Sequence, residues 1–209
     1  GSTVYAAIGH GMWKSPDGGA TWNTIDLSQA QGNAITGIAS GASGGSHIVY
    51  AVVEGAGLLR STDGGDSWTK VLDKDDETSH GDVVDSDLSD VVMPANQTAA
   101  AYVSNRREVF KTEDGGASWT NVFRMDSYSC PCQSSLPYNV EKSWVQTELK
   151  WGYYITDLGL GVNPADPDIA MVSTQGDLYK TQDGGQTWQQ MMNEKVGPLP
   201  DEPGMRYRS

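Results

Sequence analysis

Short apolar runs broken by glycine, proline, asparagine and aspartate fill most of the chain, among them "TVYAAI", "HIVYAVV", "AAAYVS" and "DIAMVS". Each is followed by a glycine-containing or polar turn and then by a second short run that ends on a cation: "GMWK", "GLLR", "EVFK" and "DLYK". Three of the four pairs are preceded by a further stretch of the same kind, "AITGIAS", "LSDVVMP" and "ITDLGLGVNP". Runs of this length, rich in β-branched and aromatic residues and bounded by turn formers, predict strands. No segment carries a convincing helical pattern.

After each cation-ended run stands the same octapeptide: "SPDGGATW" (15–22), "STDGGDSW" (61–68), "TEDGGASW" (112–119) and "TQDGGQTW" (181–188). The aspartates Asp17, Asp63, Asp114 and Asp183 follow one another at intervals of 46, 51 and 69 residues. That period suits one four-stranded blade per repeat, with the box between the third and fourth strands. A short strand after the box completes the set, as in "SWTKVL" and "SWTNVF".

The predicted architecture is an all-β propeller of antiparallel four-stranded blades in one domain. The blades fall at roughly 3–27, 33–73, 87–124 and 154–192, with a loop insertion over 124–154. The first set begins at its second strand, and the tail "NEKVGPLPDEPGMRYRS" reaches no recognisable further strand. The expectation is a partial set of blades from a larger propeller, with the remaining blades on another chain or fragment.

The box contains the parts of a self-satisfied turn. Aspartate and hydroxyl oxygens accept backbone N–H groups, the glycine pair takes dihedrals closed to other residues, and the tryptophan covers an apolar face. It holds no base, nucleophile or metal cluster beyond one carboxylate. Asp17, Trp22, Asp63, Trp68, Asp114, Trp119, Asp183 and Trp188 are therefore assigned a structural role.

Composition narrows the function classes. With 27 acidic against 14 basic side chains the net charge is -13, which repels nucleic acid and anionic membrane surfaces alike. No run approaches the length of a membrane span. Cys130 and Cys132 are too few for a disulfide framework or a four-ligand zinc site. His10, His47 and His80 are scattered and form neither a zinc nor a nucleophile pattern. No cofactor is implied. "NQT" at Asn96 is a glycosylation sequon.

In an up-and-down blade the turns between second and third strands, and the links to the next blade, emerge on one face; the boxes emerge on the other. The variable segments all fall on the first face. Its turns carry His10, Glu54, Asn105, Arg106, Arg107, Gln175 and Asp177. One link (73–87) is acidic and includes Asp85 and Asp87; it reads as a solvated surface link or, less favoured, a calcium ligand set. The other is aromatic, with Tyr128, Tyr138, Trp144, Trp151, Tyr153 and Tyr154. Exposed rings stack on the apolar faces of sugars while Arg106 and Arg107 address hydroxyls; the same rings also suit a satellite core that anchors a long loop.

The four octapeptides resemble Asp-boxes, or BNR repeats, of sialidases, sortilin-type receptors, photosystem II assembly factors and xyloglucanase-like glycoside hydrolases. "GVNPADPDIAMVSTQGDLYKTQDGGQTW" and "AVVEGAGLLRSTDGGDSW" are most similar to the xyloglucanase and sortilin types. The sialidase Arg-Ile-Pro motif is missing. The resemblance implies that the box is a structural turn away from the binding face, and that a catalytic aspartate of the xyloglucanase type stands where this chain has Glu54. Glycoside hydrolysis needs a second carboxyl group about 5–10 Å away, and Asp85, Asp87 and Asp177 are the candidates on that face. Two functions follow as expectations: a secreted carbohydrate-active, glycoside-hydrolase-like propeller that binds or cleaves a polysaccharide, or a non-catalytic propeller that binds a protein or glycan partner.

Overall fold

The computed structural model describes residues 3–72, 88–105, 108–124, 158–173 and 177–193. The described residues fold into four antiparallel sheets, each built from strands in sequence order. Blade I has three strands, β1 (Val4–Ile8), β2 (Gly11–Ser15) and β3 (Asn23–Ile25). Blade II contains β4 (Ile35–Ser43), β5 (Ser46–Val53), β6 (Gly57–Ser61) and β7 (Thr69–Leu72). Blade III contains β8 (Asp90–Val92), β9 (Ala101–Ser104), β10 (Glu108–Thr112) and β11 (Thr120–Arg124). Blade IV contains β12 (Gly159–Val162), β13 (Ala170–Ser173), β14 (Asp177–Thr181) and β15 (Gln189–Asn193).

The predicted strand order is observed, with the box between third and fourth strands of every four-stranded blade and between the last two of blade I. A single 3-10 turn at Ser28–Ala30 lies between blades I and II. β4 runs three residues beyond "AITGIAS", because the glycine pair Gly44–Gly45, with φ of +58° and +86°, closes a tight hairpin that lets the ladder continue to Ser43↔Ser46.

The core lies between blades rather than within one. One buried cluster joins blades I and II (Met12, Val49, Ala51, Leu59, Trp68), a second joins II and III (Tyr50, Val52, Leu72, Val91, Phe110), and a third joins III and IV (Tyr102, Phe123, Val172, Tyr179, Trp188). A flat sheet cannot bury both faces alone, so stacking its neighbour is what removes the apolar side chains from water.

Each junction repeats one arrangement. Strands β1, β5 and β9 supply Tyr5, Tyr50 and Tyr102, and the strands that follow them, β2, β6 and β10, supply Lys14, Arg60 and Lys111 directly opposite. The last strand of each blade supplies Ile25, Val71 or Val122; Val71 and Val122 are the extra residues of a β-bulge. The box of the following blade fits against these three. A Cβ on Gly65 would stand 3.1 Å from Ile25 and 3.6 Å from the Tyr5 ring; on Gly116 it would meet the Tyr50 hydroxyl at 2.5 Å; on Gly185, Val122 at 2.7 Å. The second glycine of the box is thus a close-approach position with φ between +85° and +100°.

Polar contacts fix the same fit. The Tyr5 hydroxyl donates to the Gly64 carbonyl at 2.9 Å, the Tyr102 hydroxyl to the Pro167 carbonyl at 2.7 Å, and the Arg60 guanidinium to the Gly115 carbonyl at 2.8 Å. Lys14 lies 3.8 Å from Asp66, and buried Lys111 donates to Asp168 at 3.0 Å. Burial alone lowers the Lys111 pKa, but hydrogen bonds to Glu113 and Asp168 outweigh it and hold the ammonium charged.

Candidate functional site

The boxes are closed on themselves. In each, the aspartate accepts the backbone N–H and the hydroxyl of the residue four positions on, while the hydroxyl two positions ahead donates to the aspartate and accepts the second glycine's N–H. For Asp183 these are Thr187 N (2.9 Å), Thr187 Oγ1 (2.6 Å), Thr181 Oγ1 (2.8 Å) and Gly185 N to Thr181 Oγ1 (2.8 Å). Asp17, Asp63 and Asp114 repeat the set with Thr21, Ser67 and Ser118.

The charge on these aspartates is correspondingly favoured. Hydrogen bonds from Thr21 and then Ser15 bring Asp17 down to about 2, and Asp63 and Asp114 go lower still, led by Ser67 and Ser118. For Asp183 partial burial pushes upward, yet the Thr187 and Thr181 hydrogen bonds carry it down to about 2. A carboxylate whose lone pairs are taken by its own turn is a poor proton carrier.

The tryptophans diverge. Trp68 is buried and donates to the Gly65 carbonyl at 3.1 Å; Trp188 is buried and donates across the junction to the Val122 carbonyl at 2.7 Å; Trp119 Nε1 is buried with no acceptor; Trp22 is 43% exposed and donates to the Gly19 carbonyl at 3.0 Å.

On the opposite side lie the turn between β1 and β2 and the turn between β5 and β6. Glu54 occupies the turn between β5 and β6, its side chain exposed and its backbone N–H donating to the Ala34 carbonyl at 2.9 Å. Gly55 and Gly57, with φ of +65° and +101°, make this tight turn possible. The Gly9 carbonyl accepts Ile35 N at 2.9 Å, so the blade I turn and the Glu54 turn are both tied to the start of β4. His10 is exposed beside Gly9. Asn105 is used in its own turn, where its Oδ1 accepts Glu108 N at 2.7 Å.

Asp90 is a carboxylate on this face that the sequence reading passed over. It opens β8, opposite Ser104, the last residue before the next turn of the face. Its Oδ1 accepts Val91 N at 2.8 Å, and the backbone N–H of Leu160 in blade IV bonds to it as well. On its other side stands Gly37 of blade II, where a Cβ would come within 3.5 Å of Asp90 Oδ1. Gly37 pairs with Val52, two residues ahead of Glu54, and Thr36 beside it is a bulge residue. Burial raises the Asp90 pKa, against the pull of the two N–H groups. The signal was one charge inside the otherwise uncharged run of "LSDVVMP", read only as a strand.

Of the other candidates, Asp177 is placed by its backbone alone, at the start of β14 opposite Asn193. Asp85, Asp87, Arg106, Arg107, Trp144, Trp151, Tyr153 and Tyr154 lie outside the described residues, as do Cys130 and Cys132. His47 is on the box side, 3.4 Å from the Tyr5 hydroxyl. Asn96 is exposed in the loop between β8 and β9. A cleft of about 400 Å³ between blades I and II, lined by Lys14, Ile25, Gly65 and Asp66 among others, is on the box side and contains none of the candidate acids. Among the described residues no three His, Cys, Asp or Glu side chains group as metal ligands, and no helix is long and apolar enough to cross a membrane.

No protein-family model matches the chain. A xyloglucanase of a Paenibacillus species is 28% identical over 211 residues, covering 88% of this chain and 18% of that protein. Among solved structures, an ancestral GH74 enzyme superposes with a TM-score of 0.59 at 15% identity over 90% of this chain and 22% of its own. The GH74 enzyme of Niastella koreensis gives 0.56 at 15%, over 91% and 28%. YCF48 of Cyanidioschyzon merolae gives 0.58 at 14%, over 93% and 53%. The chain spans less than a fifth of the length of the curated relative it matches. It is a β-propeller that resembles the xyloglucanase-type enzymes over that share of their length.

Proposed function

We propose that this chain is a carbohydrate-active, glycoside-hydrolase-like propeller of an extracellular protein that holds a polysaccharide on the face carrying Glu54. The observation that carries this reading is the similarity to a xyloglucanase across 88% of the chain. Glu54 supplies the exposed carboxylate. The second acid is drawn from Asp85, Asp87, Asp177 or Asp90; inverting or retaining hydrolysis requires the pair about 5–10 Å apart. Asp90 suits the acid role, because a carboxyl group that resists ionisation is the form that donates a proton. Trp144, Trp151, Tyr153 and Tyr154 form the stacking platform, and Arg106 and Arg107 bond the hydroxyls.

Affinity electrophoresis in gels containing xyloglucan, paired with a reducing-sugar assay, tests the proposal. Retarded migration that Trp151→Ala weakens supports the platform, and sugar release that Glu54→Gln abolishes supports hydrolysis. Migration unchanged by xyloglucan or by any other β-glucan sinks the reading.

The structural likeness to YCF48 and, with a TM-score of 0.57 at 9% identity over 94% of this chain and 22% of its own, to the extracellular domain of the one-component system BT4673 of B. thetaiotaomicron favours a second reading. In it the propeller binds a protein or glycan and performs no chemistry. Retardation without sugar release selects that reading.

A further inference from the structure

Each junction sets a cation against the box of the next blade, and two of the three also give that cation an acid. Lys14 has Asp66, and Lys111 has Asp168 and Glu113. At the junction of blades II and III the cation is Arg60, and neutral residues stand where those acids would be. Ala117 is the sixth residue of its box, as Asp66 is of the box before it, and Thr62 stands two residues after Arg60, as Glu113 does after Lys111. Ala99 accepts Gly115 N on its carbonyl, as Asp168 accepts Gly184 N. The guanidinium donates from Nη1 to the Gly115 carbonyl at 2.8 Å, and among the described residues no carboxylate pairs with it.

The same junction holds every buried side-chain polar atom without a hydrogen-bond partner among the described residues: the Tyr50 hydroxyl and Arg60 Nε from blade II, Trp119 Nε1 and Asn121 Oδ1 from blade III. Their counterparts elsewhere are satisfied. The Tyr5 and Tyr102 hydroxyls donate to the Gly64 and Pro167 carbonyls, and the Trp68 and Trp188 indoles to those of Gly65 and Val122. Three of the four unpaired atoms are donors; the fourth belongs to an amide whose nitrogen already donates to Glu108 at 2.9 Å. Tyr50 is 0% exposed, and burial pushes its pKa up, so its hydroxyl keeps the proton. The donors adjoin one another. A Cβ on Gly116 would lie 2.5 Å from the Tyr50 hydroxyl and 3.2 Å from Arg60 Cδ, and the Trp119 ring stands edge-on to Tyr50 with centroids 5.8 Å apart. Asp114, the acid that bears on the Tyr50 hydroxyl, has its oxygens taken by Thr112, Ala117 and Ser118.

We propose that the junction of blades II and III binds a monovalent anion of halide size, held by Arg60 Nε, the Tyr50 hydroxyl and Trp119 Nε1. Donors buried in a dry interface cost free energy unless something accepts from them, and a guanidinium without a counter-charge costs more. Water has two lone pairs for three donors and leaves the charge in place. An anion accepts from all three and neutralises it. The donors are shut in between Gly116 and the two rings, which limits the ion to a small one. Such an ion does for blades II and III what Asp66 and Asp168 do at the other junctions.

The other junctions also supply a test that leaves the fold intact. Urea titrations of the full chain in rising sodium chloride, with ionic strength held constant by sodium gluconate, whose anion is too large for the site, should show chloride stabilising the protein. The folding equilibrium constant is expected to rise about tenfold when chloride stands at about ten times its dissociation constant. Trp119→Phe, which removes one donor, should weaken the chloride affinity by about tenfold. Ala99→Asp places a carboxylate at the exposed position that Asp168 occupies beside Lys111, and should abolish the chloride dependence while leaving a folded protein at least as stable as wild type in gluconate. Crystals grown in sodium bromide should show an anomalous peak between Arg60, Tyr50 and Trp119. Stability indifferent to chloride at constant ionic strength overturns the proposal. So does a chloride effect that survives unchanged in both variants, or bromide bound elsewhere and absent from this junction.

Discussion

Gly185 and Val122 meet across the junction of blades III and IV so closely that a Cβ on the glycine would lie 2.7 Å from the valine Cβ. The relationship is directional. The glycine comes from a hydrogen-bonded turn, the valine from a bulge in the neighbouring sheet, and the Val122 carbonyl also takes the Trp188 indole N–H.

Gly185→Ala and Gly19→Ala separate two costs of this design. Both residues have positive φ, of 93° and 100°, so both substitutions strain the backbone by about 1 kcal/mol. Only Gly185 also pushes into a packed neighbour, which adds about 1–3 kcal/mol. Urea denaturation should show the Gly185 variant as the less stable of the two; equal losses would mean that the junction yields without cost.

Trp188→Phe and Trp119→Phe remove rings of equal size from equivalent positions. Trp188 Nε1 donates to Val122 O at 2.7 Å, while Trp119 Nε1 has no acceptor. Removing the indole at 188 orphans a buried carbonyl, so the first variant should lose about 1–3 kcal/mol more than the second in the same urea titration.

Acid should loosen the boxes. The folded pKa of Asp17 and of Asp183 is about 2, below the ordinary value of 3.8. Because the pKa is depressed on folding, the stabilisation is present above 3.8 and is lost as pH falls from there toward 2. Melting temperature measured from pH 5 to pH 2 should fall across that window, and Asp183→Asn should reduce the size of the fall.

Asp90 should behave oppositely. Its pKa is raised, so the ionised form costs stability, and that cost sets in as pH rises above the ordinary carboxylate value. Asp90→Asn keeps an oxygen for Val91 N and should melt higher than wild type at pH 7, with the gap closing at pH 3. A group kept at such a cost on the face of Glu54 fits a working role.

Strand order and box chemistry were legible because they are local. A strand needs only a short apolar run with turn formers at its ends, and the box satisfies its aspartate within seven residues, so "TQDGGQTW" announces its own hydrogen bonds. The candidate acids were legible in part: Glu54 stood out in a glycine-rich turn, whereas Asp90 hid in a strand because its burial depends on Gly37 and Leu160, 53 residues before it and 70 after it in sequence. Sequence by itself determined four repeats, their strands and turns, and the sign of the charge. Only the tertiary structure decided which tryptophan is buried and which lysine faces a neighbour, since those follow from what the next blade brings into contact and no single repeat contains that information.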